Sequence, residues 1–81
     1  MSINENTNHN ENVPIFINKE KNMVKRGPES VSTIKTLGKV PLAYELEELI
    51  QGKLQPLPDD GTVEIKGGEQ FFSHPRTGSS S

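Results

Sequence analysis

Apolar residues recur at every second position near the start of the chain. Val13, Ile15 and Ile17 share one face of an extended segment, which predicts a β-strand over residues 13–19. The polar residues 19–22 predict a reversal, and residues 23–26 then return as a second strand. The pattern predicts an N-terminal hairpin that ends where Gly27 and Pro28 follow.

A period of three residues replaces the period of two after this hairpin. Val31, Ile34 and Leu37 lie on one face of a helix for which Ser30 is a suitable N-cap. Position 33 is not a Glu, so Ser30 lacks a capping box. Gly38 is predicted to take the left-handed conformation just past the helix. A helix of about two turns is too short to be stable alone, so tertiary packing must hold it.

Residues 44–50 carry two conflicting patterns. Their Glu and Leu residues have high helix propensity, and Leu46, Leu49 and Ile50 fit a helical stripe. A period of two also fits in part, although Glu48 interrupts the apolar row. The local pattern favours a helix and leaves a strand as the alternative.

Short segments bounded by turn residues make up the rest of the chain. Residues 51–53 and 58–61 are predicted turns, separated at residues 54–57 by a short edge strand or an extended link. Residues 63–65 alternate, and Gly67-Gly68 is a candidate two-residue hairpin loop before the last strand.

The C-terminal end combines an aromatic strand with a small polar tail. Phe71 and Phe72 predict a final strand that Pro75 ends, and residues 76–81 follow as a flexible tail. The opposite end, residues 1–12, is rich in asparagine and has too few apolar residues to fold, so it is predicted to be disordered. Residues 13–75 are left as one small domain.

Composition narrows the class of protein. The chain has 81 residues, a net charge of −2 and no cysteine, with a mean hydropathy of −0.67 and a pI of about 5.6. These values give no electrostatic reason to expect nucleic acid or a membrane surface as a partner. The lack of cysteine, of a long apolar run and of a secretory signal indicates a cytoplasmic protein.

The chain shows no pattern of catalytic or metal-binding residues. It has neither a cysteine nucleophile nor a serine motif with a partner base, and its two histidines, His9 and His74, lie in a tail and at a strand end. Asp59-Asp60-Gly61 has too few oxygen ligands after it for a calcium loop, so it is interpreted as a solvated turn. Gly67-Gly68 lacks the lysine of a phosphate loop. We therefore expect no enzymatic activity, no bound cofactor and no metal.

Three segments of the second half of the chain carry a resemblance to a known family: residues 40–46 (VPLAYEL), 57–60 (LPDD) and 63–72 (VEIKGGEQFF). They resemble the bacterial ubiquitin-like and multi-ubiquitin domains, which occur in operons beside genes for activating enzymes, conjugating enzymes and peptidases. The resemblance implies an α+β fold of the β-grasp type, with a mixed sheet of four to five strands packed on one helix. It also implies a strand over residues 44–50, and a turn over residues 59–65 that leads into the last strand.

The resemblance further implies that the protein is a modifier of other proteins. A partner peptidase would cleave a precursor between Gly78 and Ser79, and an activating enzyme would use ATP to adenylate the new carboxylate for conjugation to a target. Arg76 and Thr77 would form the part of the tail that these enzymes recognise. The chain departs from the family by having Thr77-Gly78 in place of Gly-Gly and by the three serines that follow.

Two other functions remain open. A non-covalent β-grasp binding module with an inert tail is the main alternative, because the full Gly-Gly ending is absent. A sulfur carrier with a C-terminal thiocarboxylate is the other, and the trailing serines argue against it. If copies of a modifier are joined, seven lysines are candidate acceptors: Lys19, Lys21, Lys25, Lys35, Lys39, Lys53 and Lys66.

Overall fold

The computed structural model describes residues 11–76, in which the chain forms seven strands and one helix. In order, these are β1 (Asn12–Ile17), β2 (Glu20–Lys25), β3 (Gly27–Ser30), α1 (Val31–Leu37), β4 (Glu45–Ile50), β5 (Lys53–Leu57), β6 (Thr62–Ile65) and β7 (Gln70–His74). Within this part of the chain, no helix is long and apolar enough to cross a membrane.

Five of the strands form one mixed sheet in the order β2-β1-β7-β4-β5. The last strand, β7, lies at its centre, parallel to β1 and antiparallel to β4. Strands β3 and β6 form a separate antiparallel ribbon. The protein is therefore a small α+β fold with one helix and one parallel strand pair.

One face of the sheet carries the core. The alternating residues Val13, Ile15 and Ile17 of β1 are buried there, as are Leu46 of β4 and Phe71 of β7. The helix adds Val31 and Ile34 to this core, and β6 of the ribbon adds Val63 and Ile65. Val24 and Val40 complete it. The predicted period of two in the first strand is confirmed.

The N-terminal hairpin is confirmed, but its turn is tighter than predicted. Ile17 pairs with Glu20, so the reversal consists of Asn18 and Lys19 alone and β2 starts at Glu20. Both turn residues have positive φ, at 51° and 74°, as in the two-residue turns whose twist matches that of a hairpin. The prediction of a reversal over residues 19–22 was wrong because it treated polar strand residues as a loop.

The helix begins as predicted and ends differently. The backbone N–H of Thr33 donates to Ser30 Oγ at 3.1 Å, which confirms Ser30 as the N-cap. Gly38, however, has a φ of −87°, and the left-handed residue is Lys39 with a φ of 59°. Gly38 is small for another reason, since a Cβ there would lie 2.4 Å from Cγ2 of Ile17.

Residues 45–50 form a strand, as the resemblance implied for residues 44–50 and local propensity did not, and Tyr44 lies just before it. Strand β4 pairs with β7 on one side and with β5 on the other, so ladders on both edges satisfy its backbone. This double pairing outweighs the helix propensity of its Glu and Leu residues. The edge strand predicted near residues 54–57 is present as β5.

The chain between β5 and β7 does not follow the prediction. Strand β6 pairs with β3, a strand that was not predicted, so Gly67-Gly68 is not a hairpin loop and residues 59–65 are not a turn throughout. Gly67 has a φ of +116°, and the N–H of Gly68 donates to the carbonyl of Pro14 at 2.7 Å. The two glycines carry the chain across to β1 and place β7 beside it.

Candidate functional site

The chain leaves the middle of the sheet at residues 73–76, which we name the tail root. Because β7 lies between β1 and β4, contacts from both neighbours reach this segment. Of the residues assigned to the site from the sequence, Arg76 belongs to the tail root. Thr77, Gly78 and Ser79 lie outside the described residues, as does His9.

Ser73 is fastened to the turn of the N-terminal hairpin. Asn18 Nδ2 donates to Ser73 Oγ at 2.8 Å, and the backbone N–H of Ser73 donates to Asn18 Oδ1 at 3.0 Å. The two bonds close a ring across a separation of 55 residues in the sequence. The backbone pairing of β1 with β7 ends at Ile17 and Phe71, and the Asn18 side chain continues the contact between the two strands.

His74 faces two carboxylates of β4. Its Nε2 lies 3.7 Å from Oε1 of Glu45 and 3.5 Å from Oε2 of Glu47. Its Nδ1–H donates to the carbonyl of Pro75 at 3.2 Å. This hydrogen bond and the one with Glu47 raise the pKa of His74 above its ordinary value, so the imidazolium form is favoured next to the two acids.

The same three side chains could hold a divalent cation. One ligand atom from each of Glu45, Glu47 and His74 lies within 4.8 Å of the others. Within residues 11–76, this is the one group of three such side chains close enough to share a metal ion. One nitrogen and two carboxylate oxygens form a donor set that zinc accepts. The sequence did not indicate the cluster because Glu45 and His74 meet only through β4–β7 pairing.

Arg76 is paired with an acid of its own domain. Its Nη2 lies 2.9 Å from Asp59 Oδ1 and its Nη1 lies 3.2 Å from Asp59 Oδ2, a bidentate arrangement. Asp59 belongs to the turn that the Gly61 N–H closes by donating to the Pro58 carbonyl at 3.0 Å. The predicted solvated turn therefore also binds the tail root.

A buried lysine holds Asp59 from the other side. Lys35 is 1% exposed, and its Nζ donates to Asp59 Oδ1 at 3.0 Å and to the carbonyl of Leu42 at 2.9 Å. Hydrogen bonds from Lys35 and then Arg76 hold the pKa of Asp59 below its ordinary value. From the sequence, Lys35 was one of the seven lysines named as candidate acceptors of a second copy. Its burial removes it from those candidates.

The face of the sheet opposite the core carries apolar side chains at its two edges. By strand alternation this open face includes Met23 of β2 and Leu54 of β5, which are 51% and 49% exposed. Phe16, Phe72 and Leu49, which are partly buried, lie between them. No feature of the sequence pattern distinguished this row from core residues.

A scan against protein-family models, a search of curated proteins and a search of solved structures each found no match to this chain.

Proposed function

We propose that this chain is a ubiquitin-like protein modifier of the β-grasp class. It is made as a precursor, cleaved between Gly78 and Ser79 by a partner peptidase, activated at the Gly78 carboxylate by an ATP-dependent enzyme and conjugated to target proteins. The observation that carries the proposal is the position of β7, the last strand, at the centre of the sheet and parallel to β1.

The strand order supports this proposal. An N-terminal hairpin, a single helix on one face and a C-terminal strand inside a mixed sheet are the features expected of the β-grasp class. Such an arrangement makes the C-terminal tail a continuation of a strand that is paired on both edges. A terminus of this kind can be pulled into another protein's active site without unfolding the domain.

The chemistry of the tail explains why partner enzymes are needed. A carboxylate is a poor electrophile, so forming an ester or an amide requires activation as an acyl adenylate, which consumes ATP. Glycine has no Cβ and fits a narrow channel at that step. The chain has no cysteine, so the thiols of the activating and conjugating enzymes would form the covalent intermediates. The activating step needs ATP, so the proposal includes a cytoplasmic location.

Tryptic peptide mapping tests the conjugation. The full chain, tagged at its N-terminus, is incubated with ATP in a lysate of the source organism. Trypsin cleaves after Arg76, so an acceptor lysine in a conjugate will carry the dipeptide Thr77-Gly78. We expect this remnant with the native chain and not with Gly78→Val. Remnant-free conjugates, or equal conjugation of Gly78→Val, would refute the role of Gly78.

Intact mass tests the processing step in the same incubation. We expect a loss equal to the three serines 79–81, and a chain that is synthesised to end at Gly78 should be conjugated without this step. If the native chain keeps all three serines while it is conjugated, the precursor part of the proposal is wrong.

A non-covalent binding module is the second candidate, and the open face favours it. Met23 and Leu54, about half exposed, lie on that face together with the partly buried Phe72, and exposed apolar side chains of this kind suit contact with a partner protein. Deletion of residues 77–81 separates the two functions. It abolishes the activity of a modifier and leaves the binding of a module unchanged.

A further inference from the structure

Three charged residues connect the helix to the tail root, and we name them the tail latch: Lys35, Asp59 and Arg76. Their two links differ in exposure. The Lys35 side chain is 2% exposed, whereas those of Asp59 and Arg76 are 53% and 45% exposed. The inner pair, Lys35–Asp59, is shielded from water on the lysine side. The outer pair, Asp59–Arg76, is open to water.

The inner pair keeps Asp59 in place. A buried ammonium group is stable only when its protons are bonded, and Lys35 uses the Leu42 carbonyl and the Asp59 carboxylate. Asp59 must therefore stay near Lys35 for as long as the domain is folded. The carboxylate then stays oriented towards the tail root, where Arg76 bonds to Oδ1 at 2.9 Å and to Oδ2 at 3.2 Å.

The outer pair has favourable hydrogen-bond geometry but is exposed to water. Both Arg76 nitrogens bond to Asp59, but a pair exposed to this degree is screened by salt and can exchange with another carboxylate. Arg76 can therefore leave while Asp59 remains bonded to Lys35. Release of the tail root does not require the domain to open.

We propose that Asp59 is an autoinhibitory contact that holds Arg76 against the domain and restrains the tail until a partner enzyme takes over the guanidinium group. The regulatory meaning rests on the proposed function, because a restrained tail matters only if enzymes bind it. The contact lowers the fraction of molecules with a free Arg76, and it lowers the apparent affinity of any acidic site for Arg76 by that fraction.

Trypsin provides a direct probe, because a carboxylate in its specificity pocket must take Arg76 from Asp59 before it cleaves. The measurement is the initial rate of cleavage between Arg76 and Thr77 in the full chain by intact mass, divided by the rate for a peptide of residues 73–81. In Asp59→Asn we expect this ratio to rise by a factor of about 1.4 to 5, the range that measured exposed ion pairs give.

Glu11→Gln is the matched control. It also removes one carboxylate from an exposed arginine pair, Arg26–Glu11 at 3.6 Å with side chains 49% and 51% exposed. We expect it to leave the ratio at Arg76 unchanged. Equal ratios for Asp59→Asn, Glu11→Gln and the native chain would overturn the latch.

Two measurements guard against loss of folding in Asp59→Asn. Cleavage after the buried Lys35 reports unfolding, and it must stay at the native rate for the ratio at Arg76 to count. Salt provides a test without any variant, since screening should raise the ratio in the native chain. A ratio that does not change with salt in the native chain would refute the proposal even if Asp59→Asn does not fold.

Activation kinetics then separate the latch from the proposed function. With a purified activating enzyme, Asp59→Asn should lower KM with kcat unchanged, whereas Arg76→Gln should raise KM. A merely structural role for the pair predicts the same direction for both variants and would overturn the autoinhibitory role. If trypsin detects the latch but no enzyme activates the chain, the latch stands as a restraint and the modifier function fails.

Discussion

Phe71 and Phe72 are neighbours in β7, and their side chains point to opposite faces of the sheet. Phe71 is 0% exposed in the core, whereas Phe72 is partly buried on the open face. Replacing each with alanine removes the same atoms from the same strand, so differences in β propensity largely cancel. The comparison therefore measures how firmly the core face of β7 anchors the tail.

The structure predicts a large difference between the two variants. Truncation of a fully buried Phe to Ala costs about 3–5 kcal/mol. The loss for Phe72 should be about 1–2 kcal/mol, because less apolar area leaves water at that site. A domain the size of residues 11–76 has a free energy of unfolding of about 3–10 kcal/mol. Phe71→Ala should thus remove a third or more of the stability, and Phe72→Ala should leave a folded protein.

Urea denaturation followed by far-ultraviolet circular dichroism measures both free energies. If Phe71→Ala is unfolded without urea, Phe71→Leu replaces it, with an expected loss of about 1–2 kcal/mol. A loss for Phe72→Ala equal to or greater than that for Phe71→Ala would refute the register of β7, because a slip by one residue exchanges the two faces.

Three further predictions concern single positions. Glu47→Gln should lower the pKa of His74 in an NMR titration. In the native chain, His74 stabilises the fold at pH values below its ordinary pKa of 6.5, and this contribution is lost as the pH rises through the raised pKa. An unchanged pKa would contradict the pairing. Gly38→Ala should lower the free energy of unfolding by about 1–3 kcal/mol through overpacking. Lys39→Gly should raise it by about 1 kcal/mol, because glycine adopts the left-handed conformation without strain. If urea denaturation shows Gly38→Ala to be the more stable variant, Lys39 would not be the left-handed residue. Burial, and then the charge of Glu69, raise the pKa of Glu48, so Glu48→Gln should raise the urea midpoint at neutral pH. This gain should shrink as pH falls through the raised pKa and be gone below the ordinary value of 4.5. A gain that persists at lower pH would refute the cause.

Local patterns predicted the elements whose stabilising contacts are short in sequence. The period of two in β1 and the Ser30 cap of α1 depend on neighbouring residues, so both were predictable. The strand at residues 45–50 was not predictable from its own residues, because pairing with β7 and β5 decides it. The β3–β6 ribbon was missed because Gly27–Ser30 has no apolar period.

Most of the candidate site depends on contacts between distant residues. The latch joins positions 24 and 17 residues apart, and neither Lys35 nor Asp59 differs in local sequence from an ordinary surface charge. The sequence singled out Arg76 by its distance from Gly78 alone. It contained no signal that Arg76 has a partner within its own domain, since ion pairing has no period along the chain.

The contacts of β7 and the tail root weaken in order towards the C-terminus, and this order has a mechanical consequence. Phe71 is buried in the core, Ser73 is tied to Asn18 by two hydrogen bonds, and Arg76 has an exposed ion pair. A pull on the C-terminus therefore breaks the exposed pair first and meets the buried anchor last. The tail can lengthen by Pro75 and Arg76 while the β4–β7 pairing, which reaches His74, stays intact. In the proposed modifier function, this property would allow the tail to enter an enzyme while the folded domain remains outside.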